Sequence, residues 1–216
     1  MAGGVSGQPD RDRPAGSTGA HGPGKRGGRA TSQLKPLDRW LRGRRIAQVK
    51  RFILPGSTLL DIGCGDGALI HDLSGYLTHA VGIDPSLTGL IRGPGYELIP
   101  GQFPADMPAG GKFDVIVMLA VLEHLPQHVQ ALMADSFSSY LNPGGRLIIT
   151  VPSPRVDDIL HVLIRLRLIA GIAVHEHHGF QPTDTLGLLP EPRFRLLRHS
   201  RFQLGLNNLF VFERAS

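Results

Sequence analysis

The sequence contains a single cysteine, Cys64, so no disulfide can form within the chain and its stability must come from a packed core. It holds no apolar run approaching the roughly 20 residues needed to span a bilayer. The first residues form no apolar stretch of the secretory type. These absences point to a cytoplasmic protein in a reducing compartment. No internal repeat is present, which excludes solenoid and propeller architectures. Hydrophobic residues make up 41% and charged residues 19% of the 216, the balance of a soluble globular protein.

The net charge of +5 invites a nucleic-acid reading, but its distribution opposes one. Residues 1–51 carry 12 Lys/Arg against three acids, whereas residues 52–216 carry 11 against 15. The basicity therefore belongs to the N-terminal segment and first helix, and no specific nucleic acid is expected as a partner. A basic segment of this kind makes at most weak contact with phosphate or a peripheral membrane surface. Residues 1–33 are rich in Gly, Ser, Pro and Arg, with almost no large apolar side chain to offset ordering entropy. They are predicted to form a disordered tail ahead of one domain over residues 34–216.

Within that domain the apolar pattern alternates between strand and helix. Leu37, Trp40, Leu41, Ile46, Val49 and Phe52 form a helical stripe closed by Pro55-Gly56. Strands are predicted over 57–62, 79–84, 96–100, 113–119 and 146–151, with helices over 68–77 and 129–141 and a turn at Asn142-Pro143-Gly144-Gly145. A long apolar helix is predicted over 156–172, and a hairpin pairs 193–203 with 209–213. The fold class is α/β: a doubly wound, seven-stranded sheet, mostly parallel, with a C-terminal antiparallel hairpin.

The chemistry concentrates at Asp61-Ile62-Gly63-Cys64-Gly65-Asp66-Gly67, on a strand-to-helix junction. Glycines there let a ligand approach the backbone, and the following helix offers free N–H groups. The spacing is G-x-G-x-G, not the G-x-G-x-x-G of dinucleotide sites. Asp61 precedes the first glycine by two residues; a carboxylate there suits an ammonium group and sits poorly beside a pyrophosphate. Asp84 ends the second strand, where carboxylates of such folds hydrogen-bond ribose hydroxyls.

The ordered series Asp61 to Gly67, Val81-Gly82-Ile83-Asp84, Phe113-Asp114-Val115-Ile116-Val117, Val121-Leu122-Glu123-His124-Leu125 and Leu141-Asn142-Pro143-Gly144-Gly145 resembles the motifs of class I S-adenosylmethionine-dependent methyltransferases, with their Rossmann-like sheet. The similarity lies with the small-molecule group that includes ubiquinone-biosynthesis O-methyltransferases. It implies S-adenosylmethionine as cofactor. Asp61, Gly63 and Gly65 would line its methionine side, with Cys64 and Gly67 shaping the loop and Asp84 on the ribose. Gln102 and Phe103 would hold the adenine, and Leu119 and Ala120 would lie beside the sulfonium.

Departures from the pattern restrict the chemistry. The ubiquinone enzymes place a metal-binding Glu three residues before the Glu-His pair; this chain has Ala120 there, so no metal is expected. The Asn/Asp-Pro-Pro-aromatic motif of nucleic-acid base methylation is absent. In the cluster His175-Glu176-His177-His178-Gly179-Phe180, the resemblance puts His178 on the substrate side as a general base. The apolar face of the 156–172 helix points to a small-molecule acceptor with a hydrophobic portion. The expected reaction is methyl transfer, chiefly to oxygen. The rival readings are a nicotinamide-dependent oxidoreductase and a methyltransferase-like domain that binds cofactor or partner without turnover. Oligomeric state is not legible.

Overall fold

The computed structural model describes residues 36–153 and 181–216. The 1–33 tail, the 156–172 helix and the His175–Phe180 cluster with His178 lie outside the described residues.

The five apolar runs of the central sequence become a parallel sheet whose inner strands are buried on both faces, while Tyr96–Pro100 buries only Leu98 fully. In chain order these strands are β1 (Thr58–Ile62), β2 (His79–Asp84), β4 (Tyr96–Pro100), β5 (Phe113–Leu119) and β6 (Leu141–Pro152). A short β3 (Ile91–Gly93) and the hairpin β7 (Phe194–Phe202) and β8 (Asn207–Arg214) complete the sheet in the order β3-β4-β2-β1-β5-β6-β8-β7. The seven strands read from the sequence are all present. The eighth, β3, is an exposed edge strand antiparallel to β4. Among the parallel strands, chain order runs outward from β1 through β2 to β4 on one side and from β5 to β6 on the other, so the switch point lies where β1 and β5 pair. Open α/β sheets place ligands outside the strand ends at such a point.

Alternate residues of each strand feed two separate cores. Leu60, Ile116, Ile149 and Phe210 pack on one face with Met133 and Phe137 of α4 (Met133–Tyr140). Leu59, Val117, Ile148 and Val211 pack on the other with Ile46 and Val49 of α1 (Pro36–Lys50) and with Leu69 and Ile70 of α2 (Ala68–Asp72). Each such side chain contributes about 1.5–3 kcal/mol relative to exposure.

Helix boundaries differ from the periodicity. The 68–77 helix shrinks to the five residues of α2, because Gly75 adopts φ +77 and the chain turns through Ser74 and Tyr76. The 129–141 helix is divided into α3 (Gln127–Gln130) and α4, with Leu132 between them at φ −91. The Gln130 amide holds α3 in place by donating to the carbonyls of Leu125 (2.8 Å) and Leu122 (3.2 Å). The Asn142–Gly145 turn is present as a bulge inside β6: Phe113 faces Leu141, but Val115 already faces Arg146. Among the described residues no helix is long and apolar enough to cross a membrane.

Candidate functional site

At the carboxyl end of β1 the chain must leave a buried strand, cross the sheet edge and enter α2 within five residues. Gly63 takes φ +75 for this, and a Cβ there would stand 2.3 Å from a methyl of Val121. Gly65 takes φ +56, with no atom within 4 Å of where its Cβ would be. The first glycine lets the loop close against the end of β5. The second leaves open space above the loop, a cradle that a side chain would fill.

That space is a cleft of about 210 Å³. Asp61, Gly63, Cys64 and Gly65 line one side, Leu119 closes β5, and Arg42, Arg45 and Ile46 of α1 form the opposite wall. Asp61 is almost fully buried, and its carboxylate accepts no hydrogen bond from the described residues. Burial first, and the neighbouring Asp84 carboxylate second, push its pKa up to about 7. A buried carboxylate without a partner, open on a cleft, fits a cationic ligand group. The same burial and acidic neighbours push the Cys64 thiol up to about 12, so it stays protonated and unreactive at neutral pH.

Asp84 is fixed by its surroundings. One carboxylate oxygen accepts from the Gly65 N–H at 2.8 Å, the other from the backbone N–H (2.8 Å) and hydroxyl (2.5 Å) of Ser86. Three donors from two segments set its orientation beside the loop, with lone pairs left for a ligand's hydroxyls. Just past Leu119, Ala120 adopts φ +56, a left-handed conformation unusual for a residue with a Cβ. Its N–H donates to the Thr150 carbonyl, holding the turn just past β5.

The remaining sequence candidates fall elsewhere. Gly67 immediately precedes α2 and packs against Leu98. Gln102 is exposed just past β4, with its N–H donating to the Asp106 carboxylate. Phe103 is turned into the core, its ring stacked on Phe137 (6.1 Å) and edge-on to Tyr140 (5.4 Å), and it does not line the cleft. His178 lies outside the described residues.

Residues 37–191, more than half of the chain, match the family model of the methyltransferase domain. The chain belongs to that family. A ubiquinone biosynthesis O-methyltransferase from Paraburkholderia phytofirmans is 29% identical over 136 residues, covering 59% of this chain and 58% of the relative. One from Xylella fastidiosa is 34% identical over 112 residues, covering 47% of this chain and 44% of the relative. The chain thus spans about half the length of these relatives. Among solved structures, the N-methyltransferase NodS of Bradyrhizobium japonicum aligns with a TM-score of 0.57 at 18% identity, over 83% of this chain and 99% of that one. Magnesium protoporphyrin IX methyltransferase of Synechocystis, solved with bound S-adenosylhomocysteine, aligns with a TM-score of 0.55 at 20% identity, over 82% of this chain and 83% of that one. Likeness at this level is likeness of fold.

Two features of this methyltransferase domain were not singled out from sequence. Arg42 and Arg45 read as part of the general N-terminal basicity; only the packing of α1 shows that this i, i+3 pair faces the cleft. Arg42 also pairs with Asp66 of the loop at 2.7 Å. Glu123 stands in the 3-10 turn Leu122–His124 with its side chain 3% exposed and both carboxylate oxygens without a hydrogen bond. Burial pushes its pKa up to about 7, against the pull of the Arg45 charge.

Proposed function

We propose that this protein transfers the methyl group of S-adenosylmethionine to an oxygen of a small-molecule acceptor that carries a hydrophobic portion. The observation that carries the reading is the unpartnered Asp61 carboxylate in a cleft that also presents two arginines and whose Gly65 is bonded to Asp84. An amino-acid moiety needs a carboxylate for its ammonium and cations for its own carboxylate; Asp61 supplies the first, and Arg42 and Arg45 the second. Asp84 is oriented to accept from vicinal ribose hydroxyls. A pyrophosphate would meet Asp61 as a like charge, which disfavours the nicotinamide alternative.

When bound, S-adenosylmethionine supplies an electrophilic methyl on a sulfonium centre. The chain's own contribution is positioning: the Gly63–Gly67 loop, Asp61 and Asp84 hold the donor, and Leu119 and Ala120 form a wall that restricts water. Aligning donor and acceptor for in-line displacement supplies much of the rate in reactions of this type. His178 takes the hydroxyl proton of the acceptor in this reading. Ala120, in place of a carboxylate, leaves the acceptor without a metal clamp of the kind catechol substrates use.

Calorimetry with S-adenosylhomocysteine and with NAD, followed by a screen of metabolite extracts with methyl-labelled S-adenosylmethionine, tests the proposal. Binding of S-adenosylhomocysteine, no heat from NAD and label in an ether product are expected. NAD binding without S-adenosylhomocysteine binding defeats the proposal; cofactor binding with no labelled product leaves the non-catalytic binding domain.

A further inference from the structure

The hairpin turn between β7 and β8 is built in an unusual way. Gln203 and Leu204 both adopt left-handed φ values, +52 and +58, where Gly or Asn is the ordinary occupant. Leu204 is fully exposed, at 101%. None of the described residues covers its side chain, yet the backbone that presents it is held firmly. Ser153 donates from its N–H to the Leu206 carbonyl and from its hydroxyl to the Gly205 carbonyl, both at 2.7 Å. The Gln203 amide donates to the Leu41 carbonyl of α1 at 2.9 Å.

These bonds fix where the turn points. Asn207, at the start of β8, pairs with Pro152, at the end of β6, so the turn stands at the carboxyl ends of the parallel strands, the end where the cleft opens. The bond to Leu41 brings it beside Trp40, which is 57% exposed and has the Arg44 guanidinium 5.8 Å from its ring. Arg198 and Arg201, exposed on opposite faces of the edge strand β7, form no ion pair among the described residues. The acid of the nearby loop, Asp66, is already paired with Arg42.

We propose that this rim docks end-on against an anionic lipid bilayer, with Trp40 and Leu204 entering the headgroup region, Arg44 and Arg198 reaching lipid phosphates on the α1 side of the sheet and Arg201 on the other. A projecting aliphatic tip, an indole at its side and surrounding cations form the pattern by which proteins attach to the membrane interface. One leucine and one indole present too little surface for a stable protein interface, which needs roughly 800 Å² on each partner. Docking in this orientation turns the mouth of the cleft toward acceptors dissolved in the bilayer. The surface does not depend on which atom is methylated or on the donor.

Trp40 is the single tryptophan of the chain, so its fluorescence reports on the rim alone. The full chain is mixed with vesicles of phosphatidylcholine, or of phosphatidylcholine containing about 30% phosphatidylglycerol, at low salt. Binding to the anionic vesicles, a blue shift and quenching by brominated acyl chains are expected. Leu204→Asn, which suits a left-handed backbone, is expected to weaken partitioning about tenfold while leaving the melting temperature and S-adenosylhomocysteine affinity intact. The Arg198→Gln/Arg201→Gln pair is expected to lower partitioning to anionic vesicles several-fold and to reduce the Trp40 blue shift there, while the basic N-terminal segment keeps a weak residual preference for anionic lipid. Failure to bind, binding with Trp40 unquenched, or Leu204→Asn binding as well as wild type overturns the proposal; the latter two place the contact elsewhere in the chain. A fall in solution mass in Leu204→Asn without a vesicle effect also overturns it, in favour of a second copy of the chain.

Discussion

The Gly65 N–H donates a 2.8 Å hydrogen bond to the carboxylate of Asp84, latching the loop after β1 to the end of β2. Asp84 therefore holds the loop as well as facing the ligand. Asp84→Ala removes both functions and is expected to weaken S-adenosylhomocysteine binding by about 100-fold, since bonds to a charged group are worth roughly 1.5–3 kcal/mol each. Ser86→Ala, which only loosens the carboxylate, is expected to cost a few-fold. Equal affinities for Asp84→Ala and wild type, measured by calorimetry, would place the ribose elsewhere.

The pKa of about 7 at Asp61 makes binding and stability depend on pH in opposite senses. An ammonium group needs the carboxylate, so affinity is expected to fall by roughly tenfold per pH unit below 7. In the free protein the folded state holds this proton more tightly than the unfolded chain does. Stability therefore falls as pH rises from about 4 to about 7 and levels off above. Glu123 adds to the same trend. Asp61→Asn is expected to melt a few degrees above wild type at pH 8, to match it near pH 4, and to bind cofactor feebly at both. A pH-independent affinity in wild type would contradict the assignment of Asp61 to the ammonium.

Gly63 and Gly65 have similar backbone angles but different surroundings. Gly63→Ala forces a methyl into Val121 and is expected to destabilise the fold by about 2–4 kcal/mol. Gly65→Ala meets nothing in the protein, so only the backbone cost of about 1 kcal/mol is expected, while the new methyl occupies the ligand's space. Melting curves should therefore single out Gly63→Ala. Titration with S-adenosylhomocysteine should single out Gly65→Ala, whose near-wild-type stability makes its loss of binding unambiguous.

His178 can be separated from the cofactor side by kinetics. His178→Ala is expected to lower turnover by about 100-fold and to remove the acidic limb of the pH–rate profile, while S-adenosylhomocysteine affinity holds. A turnover equal to wild type reduces the residue to a loop position.

What was legible in the sequence is what the backbone demands locally. The apolar runs announced the parallel strands, Gly63 and Gly65 announced the turn, and Asp61 and Asp84 stood at fixed offsets from strands. What was not legible depends on contacts distant in sequence. β3 is three residues long and stays in the sheet by pairing with β4, a length at which no periodicity shows. Phe103, placed by resemblance near adenine, turns its ring onto Phe137 and Tyr140 of a helix more than 30 residues away. Arg42 and Arg45 were hidden among other arginines until the packing of α1 gave them a direction. Glu123 was legible as part of the Val121–Leu125 motif, but the burial of both its oxygens was not.

The order of strands in space also governs the order in which the fold can be finished. β8 follows β7 along the chain but lies between it and β6 in the sheet, where it pairs with both. A nascent chain emerging from the ribosome can assemble the sheet as far as β6, yet must leave β7 unattached until β8 is translated. The rim turn is then set by the same late event, so a message cut short after Leu206 yields a domain with its Gly loop in place but β6 exposed as a bare edge, a target for proteolysis and for pairing with other chains.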